Sequence, residues 1–416
     1  MRLPDHRGNL LRIYEAALSA VEGRRVVADF LRGHEIPGPV HVVAIGKAAA
    51  SMARGAHDRL GDAISAALVV TRHGYGQDVT RYCPHFRLLE AGHPVPDQSS
   101  LEAGQALLAF LQQVPGDGVL LFLLSGGTSS LVEVLPTGLG LADLRRANAW
   151  LLASGLPIDR VNAVRRALSC IKGGRLIRCL PDVPVWNLLI SDVPGDDPAV
   201  IGSGLLVAQS EVSSRSMSEQ LPLWLRKLME KAPACSVEKS RSAPIETAVI
   251  ANNQLARRAA AGKARAMGYH VCLHEQDVQG EVSMVARELL HDMDKGTPAL
   301  HIWGGETTVR LPAEPGQGGR CQHLALQLAR LLQNRQQGAC IFLAAGTDGS
   351  DGPGEAAGAL VDHQTIDRGQ RERLDASDCL QRADAGSFLQ ASHDLLCTGV
   401  TGTNVMDLVL GLPLRP

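Results

Sequence analysis

Val40-His41-Val42-Val43-Ala44-Ile45-Gly46-Lys47-Ala48-Ala49-Ala50 decides the fold: a short apolar run ends in Gly-Lys and opens directly into a helical pattern. A continuous apolar run bounded by glycine reads as a strand buried on both faces, and a helix starting at once behind it makes the pair half of a βαβ unit. The same rhythm recurs in apolar runs at residues 67–71, 119–124, 185–190, 247–251, 300–303 and 340–345. Between them lie helical patterns at 48–60, 99–114, 141–154, 255–267 and 322–333. This alternation predicts an α/β protein built on parallel sheets. The last apolar stretch, residues 405–410, reads as a helix-like end.

A chain of 416 residues is longer than one hydrophobic core usually serves, so two domains are expected. Residues 210–220 are rich in Ser and Glu, a short helical piece follows at 221–231, and a second irregular tract runs to 244. These tracts place the boundary between an N-terminal domain, 1–238, and a C-terminal domain, 239–416. Lys and Arg total 41 against 43 Asp and Glu, which leaves no field to gather nucleic acid. The N-terminus has charged residues where an export signal would carry an apolar core, and the apolar run at 119–124 is far too short to span a bilayer. Nine scattered cysteines without a Cys-x-x-Cys pair fit reduced thiols, so a cytoplasmic protein free of membrane is expected.

The chemistry gathers where strands end. Lys47 stands at the carboxyl end of the first strand, where ligands of open α/β sheets collect and where a helix N-terminus favours an anion. The apolar run at 119–124 breaks into Ser125-Gly126-Gly127-Thr128-Ser129-Ser130, which reads as an anion cradle, because glycine admits close backbone approach and hydroxyls add donors. Neither segment has the spacing of a Walker A loop or of a serine-hydrolase elbow. Ser191-Asp192-Val193-Pro194-Gly195-Asp196-Asp197 ends another strand with acids, a density suited to a magnesium nucleotide, while Asp196 and Asp197 suit a helix cap equally well.

The second half adds Gly304-Gly305-Glu306, the helix-start arginine Arg320, two further acids in Asp348 and Asp351, and the loop Thr401-Gly402-Thr403-Asn404; Asn252 follows the strand at 247–251. A guanidinium stays charged and forks onto carboxylate or phosphate, so Arg320 suits a phosphoryl group in transit. The loop at 401–404 either closes over phosphates or terminates the fold. His93, in Gly92-His93-Pro94-Val95-Pro96-Asp97, reads as part of a rigid turn.

Taken together these segments closely resemble the type II glycerate kinases (glycerate 2-kinases) of the MOFRL family, some of whose members are named hydroxypyruvate reductases. The resemblance spans nearly the whole chain and rests on the Gly46-Lys47 turn, Gly92-His93-Pro94-Val95-Pro96-Asp97, Leu124-Ser125-Gly126-Gly127, Asn162-Ala163-Val164-Arg165, Lys172-Gly173-Gly174-Arg175-Leu176, the Ser191 to Asp197 loop, Gly304-Gly305-Glu306, Gly346-Thr347-Asp348-Gly349 and Thr401-Gly402-Thr403-Asn404. It implies an N-terminal Rossmann-like domain and a C-terminal MOFRL domain with the active site in the cleft between them. It further implies that ATP and Mg²⁺ serve to phosphorylate D-glycerate at the 2-hydroxyl, giving 2-phosphoglycerate. Lys47 and Arg320 would then be the principal cations, Asp192 would orient the attacking hydroxyl, and Asp192, Asp348 and Asp351 would hold the metal. Substrate or phosphate would contact Ser125, Gly126, Gly127, Thr128, Ser129, Asn252, Gly304, Gly305, Glu306, Thr401, Gly402, Thr403 and Asn404.

The chain departs from the family pattern at Cys321 and His323 after Arg320, at Val400 and Met406, and at Leu205-Leu206, which puts substrate preference in question. Two other readings stay open: an NAD(P)H-dependent hydroxypyruvate reductase, against which stands the lack of a Gly-x-Gly-x-x-Gly fingerprint, and a catalytically impaired sugar-acid-binding homologue. A small-molecule substrate is expected as the partner, and the oligomeric state, with a homodimer among the options, is open.

Overall fold

The computed structural model describes residues 5–414 apart from 77–78, 83–85, 155, 157, 208–220, 232–240, 296–297 and 334–337. The expected boundary after residue 238 lies outside the described residues. Contacts divide the chain into two compact units, one of Gly23–Ile250 and one that joins Met1–Glu22 to Ala251–Pro416.

The first unit is built on six strands, β1 (Val40–Ile45), β2 (Ile64–Arg72), β3 (Phe86–Ala91), β4 (Val119–Leu124), β5 (Val185–Ile190) and β6 (Ile245–Ala251). They form one sheet in the order β3-β2-β1-β4-β5-β6. The pairs β1/β2, β1/β4, β2/β3 and β4/β5 are parallel. Every residue of β1 and β4 is buried, which is why both read as unbroken apolar runs rather than alternating ones. Val43, Ile45, Leu68, Phe122 and Leu189 join one core, and each such side chain contributes about 1.5–3 kcal/mol by leaving water. The helices Ala49–Leu60 and Gln98–Gln112 supply crossovers close to those expected. Strand β3 was not anticipated. Its mixed residues, Phe86-Arg87-Leu88-Leu89-Glu90-Ala91, lie at the sheet edge, where one side of the ladder is unpaired and polar side chains are tolerated.

The sheet order reverses between β1 and β4. Both of its halves wind outward from that pair, so their carboxyl ends border a crevice, the place where doubly wound sheets bind ligands.

The second unit corrects the expectation of parallel sheets throughout. Its sheet runs β12-β11-β10-β13-β9-β7, with β8 beside β9, and comprises β7 (Val271–Leu273), β8 (Val278–Glu281), β9 (Leu300–Thr308), β10 (Cys340–Gly346), β11 (Gly358–Asp362), β12 (Leu395–Leu396) and β13 (Asp407–Pro413). β10 pairs antiparallel with both β11 and β13, and β13 pairs antiparallel with β9; β7 and β8 lie parallel to β9. The end expected to be helix-like is therefore strand β13, central in this sheet. A short apolar run covered on both faces has no two-residue alternation to distinguish it from a buried helix.

The helix Arg320–Gln333 packs against β10 and β11 and carries Leu324, Leu328 and Leu332 into a core with Trp303, Phe342 and Phe388. The N-terminal helix His6–Val21 belongs here, lying against helix Asn253–Ala266. Its Tyr14 hydroxyl donates to the Gly346 carbonyl at 2.7 Å, and Arg7 pairs with Asp362 at 2.5 Å and Asp394 at 2.8 Å.

Candidate active site

In the first unit the tips of β1 and β4 are bound to each other before any ligand is considered. Gly46 takes φ +130°, and a Cβ there would meet the Ser125 Oγ at 2.1 Å and its carbonyl oxygen at 2.6 Å, so only glycine lets the two turns approach. The Lys47 amide donates to the Gly126 carbonyl at 2.9 Å, the Ala48 amide to the Ser125 Oγ at 3.1 Å, and the Thr128 hydroxyl to the carbonyls of Ile45 at 3.0 Å and Ser125 at 2.7 Å. Ser125 and Thr128, expected to offer hydroxyls to an anion, are fully buried and use them to stitch the strand ends. That leaves Lys47, half-buried, and the backbone of Gly126 and Gly127 to face a ligand. Gly127, at φ +89°, lies close enough to Lys47 that a Cβ would sit 3.3 Å from the lysine Cγ. The helix behind Lys47, Ala49–Leu60, starts without a side-chain cap, which leaves its positive dipole end to be met by an anion.

Beside this turn is a cavity of ≈ 200 Å³ whose walls include His93, Gly127, Ser129, Asn148, Arg165 and Lys172. Lys172 and Glu133, both almost wholly buried, form an ion pair in its wall. The Ser169 hydroxyl donates to Glu133 at 2.6 Å and the Val134 amide does so at 2.9 Å, so the carboxylate is satisfied on both oxygens. Arg165 donates to the Asn148 Oδ1 at 3.2 Å, and burial draws its pKa below the usual guanidinium value. With Lys172 balanced by Glu133, Arg165 supplies the cavity's excess positive charge. Leu144, Ala147, Leu151 and Leu168 complete the wall, and an arginine in a small, partly apolar hollow is suited to grip a small carboxylate or phosphate. Ser129 accepts from the Ser203 hydroxyl at 2.8 Å in the same wall.

Arg165, Lys172, Glu133 and Asn148 were not singled out from the sequence as site residues, and His93 was read only as a turn. Arg165 and Lys172 do stand in two of the segments that carry the family resemblance. Their convergence depends on folding residues 93, 133, 148, 165 and 172 together, which no local pattern expresses.

Asp192, half-buried, follows β5 and its Ser191, and Ser191 Oγ makes a local turn with Val193. The Asp197 carboxylate accepts the Ala199 amide at 2.9 Å in a local turn, and the short helical piece that follows, Ile201–Ser203, starts from Val200 without a side-chain cap.

In the second unit Arg320 is gripped by acids. Its Nε donates to the Asp407 Oδ2 at 2.6 Å and its Nη2 to the Asp407 Oδ1 at 2.9 Å, and Nη2 also pairs with Glu306. Burial alone would lower its pKa, but Asp407 and then Glu306 outweigh burial and raise it, so the guanidinium is charged at any working pH. Its side chain is still 37% exposed, and neither contact uses Nη1. Asp407 was missed by the sequence reading because it lies in the run taken for a helix-like end.

The two glycines before Glu306 have packing reasons. A Cβ on Gly304 would fall 1.7 Å from the Asn253 Oδ1, and one on Gly305, at φ +139°, would meet Val278 at 2.2 Å. Asn253 donates to the carbonyls of Val405 at 2.7 Å and Asp407 at 3.0 Å, while its neighbour Asn252 caps helix Asn253–Ala266 by accepting the Leu255 amide at 2.9 Å.

Asp351 accepts the Cys321 amide at 3.0 Å and the Gln322 amide at 2.8 Å, capping the Arg320–Gln333 helix with both oxygens. Burial, reinforced by Asp407, pushes its pKa up to about 6. Asp348 accepts the Ser350 amide at 3.0 Å. The loop at 401–404 is tied to the same region: Thr401 Oγ1 donates to the Thr347 carbonyl at 2.5 Å and Thr403 Oγ1 to the Val21 carbonyl at 2.7 Å. Gly402, at φ +73°, turns the chain between them, and the next residue after Thr403, Asn404, is buried. Of the departures from the family pattern, Cys321 is buried beside Asp407, and burial pushes its thiol up. Leu205 and Leu206 fill the first unit's core, and Val400 is exposed. Among the described residues no helix is long and apolar enough to cross a membrane.

Residues 9–231 match a family model described as "Domain of unknown function (DUF4147)", and residues 299–407 match the MOFRL family. The D-glycerate 2-kinase of Thermotoga maritima is 34% identical, with 97% of each chain covered. A protein of Agrobacterium vitis that provisionally bears the name hydroxypyruvate reductase is 36% identical over 96% of this chain and 92% of its own. A crystal structure of glycerate kinase from Thermotoga maritima superposes with a TM-score of 0.82 at 32% identity, covering 99% of this chain and 100% of the other. Two domain models in order and relatives matched from end to end leave one conclusion: the chain belongs to the DUF4147 and MOFRL family of glycerate kinases.

Proposed function

We propose that this chain is an ATP-dependent glycerate kinase that transfers a phosphoryl group to the 2-hydroxyl of D-glycerate. The observation that carries the reading is end-to-end similarity to a D-glycerate 2-kinase, together with a β1/β4 crevice that pairs Lys47 with the Gly126-Gly127 backbone.

Phosphoryl transfer asks little covalent chemistry of a protein: it asks for positioning and for charge to match the transferring group. In the proposed mechanism the small acid lies in the cavity beside Gly127 with its carboxylate toward Arg165. Lys47 offsets charge on the phosphoryl group, and Asp192 orients the attacking hydroxyl. In the second unit Arg320, held in a fixed orientation by Asp407 and Glu306, is the guanidinium proposed to meet phosphate charge. The carboxylates of Asp192 and Asp348 have the hard oxygen chemistry Mg²⁺ requires and would be its candidate ligands, and the ion would supply positive charge to offset that of nucleotide phosphates. Asp351 is left out of that proposal, since its oxygens are spent on helix amides. A cytoplasmic location remains part of the proposal, resting on cysteine usage.

A nicotinamide-dependent reductase is the second reading, favoured by the name of the Agrobacterium vitis relative. The turn after β1, Gly46-Lys47-Ala48-Ala49, offers one glycine where a dinucleotide loop needs three, and its lysine occupies the approach to the helix. Purified protein supplied with D-glycerate, ATP and Mg²⁺ is expected to release ADP, and with hydroxypyruvate and NADH to oxidise nothing. NADH oxidation without ADP release would replace the kinase by the reductase, and binding of glycerate without either turnover would replace it by a sensor.

A further inference from the structure

Cys272 lies on β7 and His274 one residue past its end, where the His274 amide still donates to the Ile302 carbonyl at 3.0 Å, so the two side chains leave the same face. Parallel register places His301 of β9 directly beside Cys272, and Trp303, two residues on, continues the same face. Three donor atoms meet there. The His274 Nε2 lies 3.0 Å from the His301 Nδ1 and 3.6 Å from the Cys272 Sγ, and the three ligand atoms are all within 4.8 Å of one another.

We propose that Cys272, His274 and His301 bind a borderline-soft divalent cation of the zinc class. Zinc bonds of about 2.3 Å to sulfur and about 2.0–2.1 Å to nitrogen, at tetrahedral angles, require donor separations of roughly 3.6 Å for S and N and roughly 3.3 Å for two nitrogens. The two spacings from the His274 Nε2 differ from these by at most a few tenths of an ångström, and the third, from the Cys272 Sγ to the His301 Nδ1, is within 4.8 Å, so side-chain rotation would complete the geometry.

The surroundings support the assignment. The other nitrogen of His274, Nδ1, lies 3.9 Å from the Asp292 carboxylate, beyond hydrogen-bond distance but near enough for a small shift to let the acid orient a metal-bound imidazole. Trp303 stacks on both rings, with centroids 4.7 Å from His274 and 5.2 Å from His301, and so limits their rotation. The cationic neighbour, Arg257, is paired with Asp277 at 2.7 Å, which offsets its repulsion of an incoming ion. His301 is buried whereas His274 is 22% exposed, so a fourth ligand, water or a small anion, reaches the ion from the His274 side. β7 is the edge strand of its sheet, and the ion would clip that edge to β9.

The test is titration of the chelator-treated, full-length chain with Co²⁺, followed by Zn²⁺. One equivalent of Co²⁺ is expected to produce tetrahedral d–d bands and a thiolate charge-transfer band, both abolished by one equivalent of Zn²⁺. Cys272→Ser should remove the charge-transfer band, His301→Gln should weaken binding at least tenfold, and Asp292→Asn should weaken it about tenfold by freeing the ring it orients. Cys272→Ala serves if the serine variant misfolds, and circular dichroism checks each fold without metal. The proposal is overturned if the wild-type chain shows no such band at one equivalent, or if a folded Cys272 variant keeps it, which would place the ion on another thiol. An imidazole pair that serves packing alone gives the first of these results.

Discussion

Gly46 shows how much a single backbone position decides. Its left-handed φ and the 2.1 Å that would separate a Cβ from Ser125 Oγ mean that Gly46→Ala pushes the β1 turn away from the β4 turn. Loss of at least about 2 kcal/mol of stability is expected in a denaturant titration, with glycerate phosphorylation lost alongside. The neighbouring Lys47 is a different kind of residue: Lys47→Ala should leave the denaturation midpoint in place and lower kcat/KM by about 10²-fold to 10³-fold, as should Arg320→Ala if its stability is preserved. Near-wild-type turnover would remove either residue from the proposed site. Asp351 supplies a pH dependence. Its pKa is raised from 3.8 to about 6 in the folded chain, so the folded state holds the proton more tightly than the unfolded one. The contribution to stability is full below pH 3.8 and is lost as pH rises through about 6, with a span on the order of 3 kcal/mol. Asp351→Asn should flatten stability against pH across that window; an unchanged slope would show that other groups set it. Met406 is a local exception of another sort, adopting φ +66°, where asparagine is at home and methionine is not. Its side chain is buried, and that apolar burial holds the strained backbone.

At the scale of elements, the strands that carry chemistry were the easiest to read. β1, β4 and β5 have the bounds that their apolar runs predict, because strands covered on both faces are mostly apolar, His41 and Asn187 being the polar exceptions. The edge strand β3 and the three-residue β7 were not legible, since edge exposure and shortness erase the pattern that identifies a strand, and β13 has no helical pattern behind it to mark its apolar run as a strand. The cavity wall was illegible for another reason: Glu133 follows the turn after β4, whereas Lys172 follows helix Ile158–Ala167, and only the fold joins them. This buried pair makes an element-scale prediction. Glu133→Gln alone strands the Lys172 ammonium and should cost about 3–5 kcal/mol, whereas Glu133→Leu combined with Lys172→Met should cost much less. Equal losses in the single and double variants would mean that the pair is not coupled.

The whole molecule joins a doubly wound parallel sheet to a mixed sheet; chain length indicated two domains, and the alternation of apolar runs with helical patterns indicated the α/β class. Which core the N-terminal helix joins was beyond the sequence: an amphipathic pattern says that one face is buried, not against what. Tyr14 and Arg7 supply the answer through Gly346, Asp362 and Asp394. Candidate site residues were legible where they end strands, as Lys47, Gly126 and Gly127 do. Several glycines and hydroxyls in such places instead serve the fold, and Gly304, Gly305, Ser125 and Thr128 illustrate it. The account as a whole turns on which oxygen receives the phosphoryl group. Product formed from D-glycerate and ATP should be converted to phosphoenolpyruvate by enolase with no mutase added, since enolase acts on the 2-phosphate. Conversion that occurs only after a mutase is supplied, or no ADP at all, would contradict it.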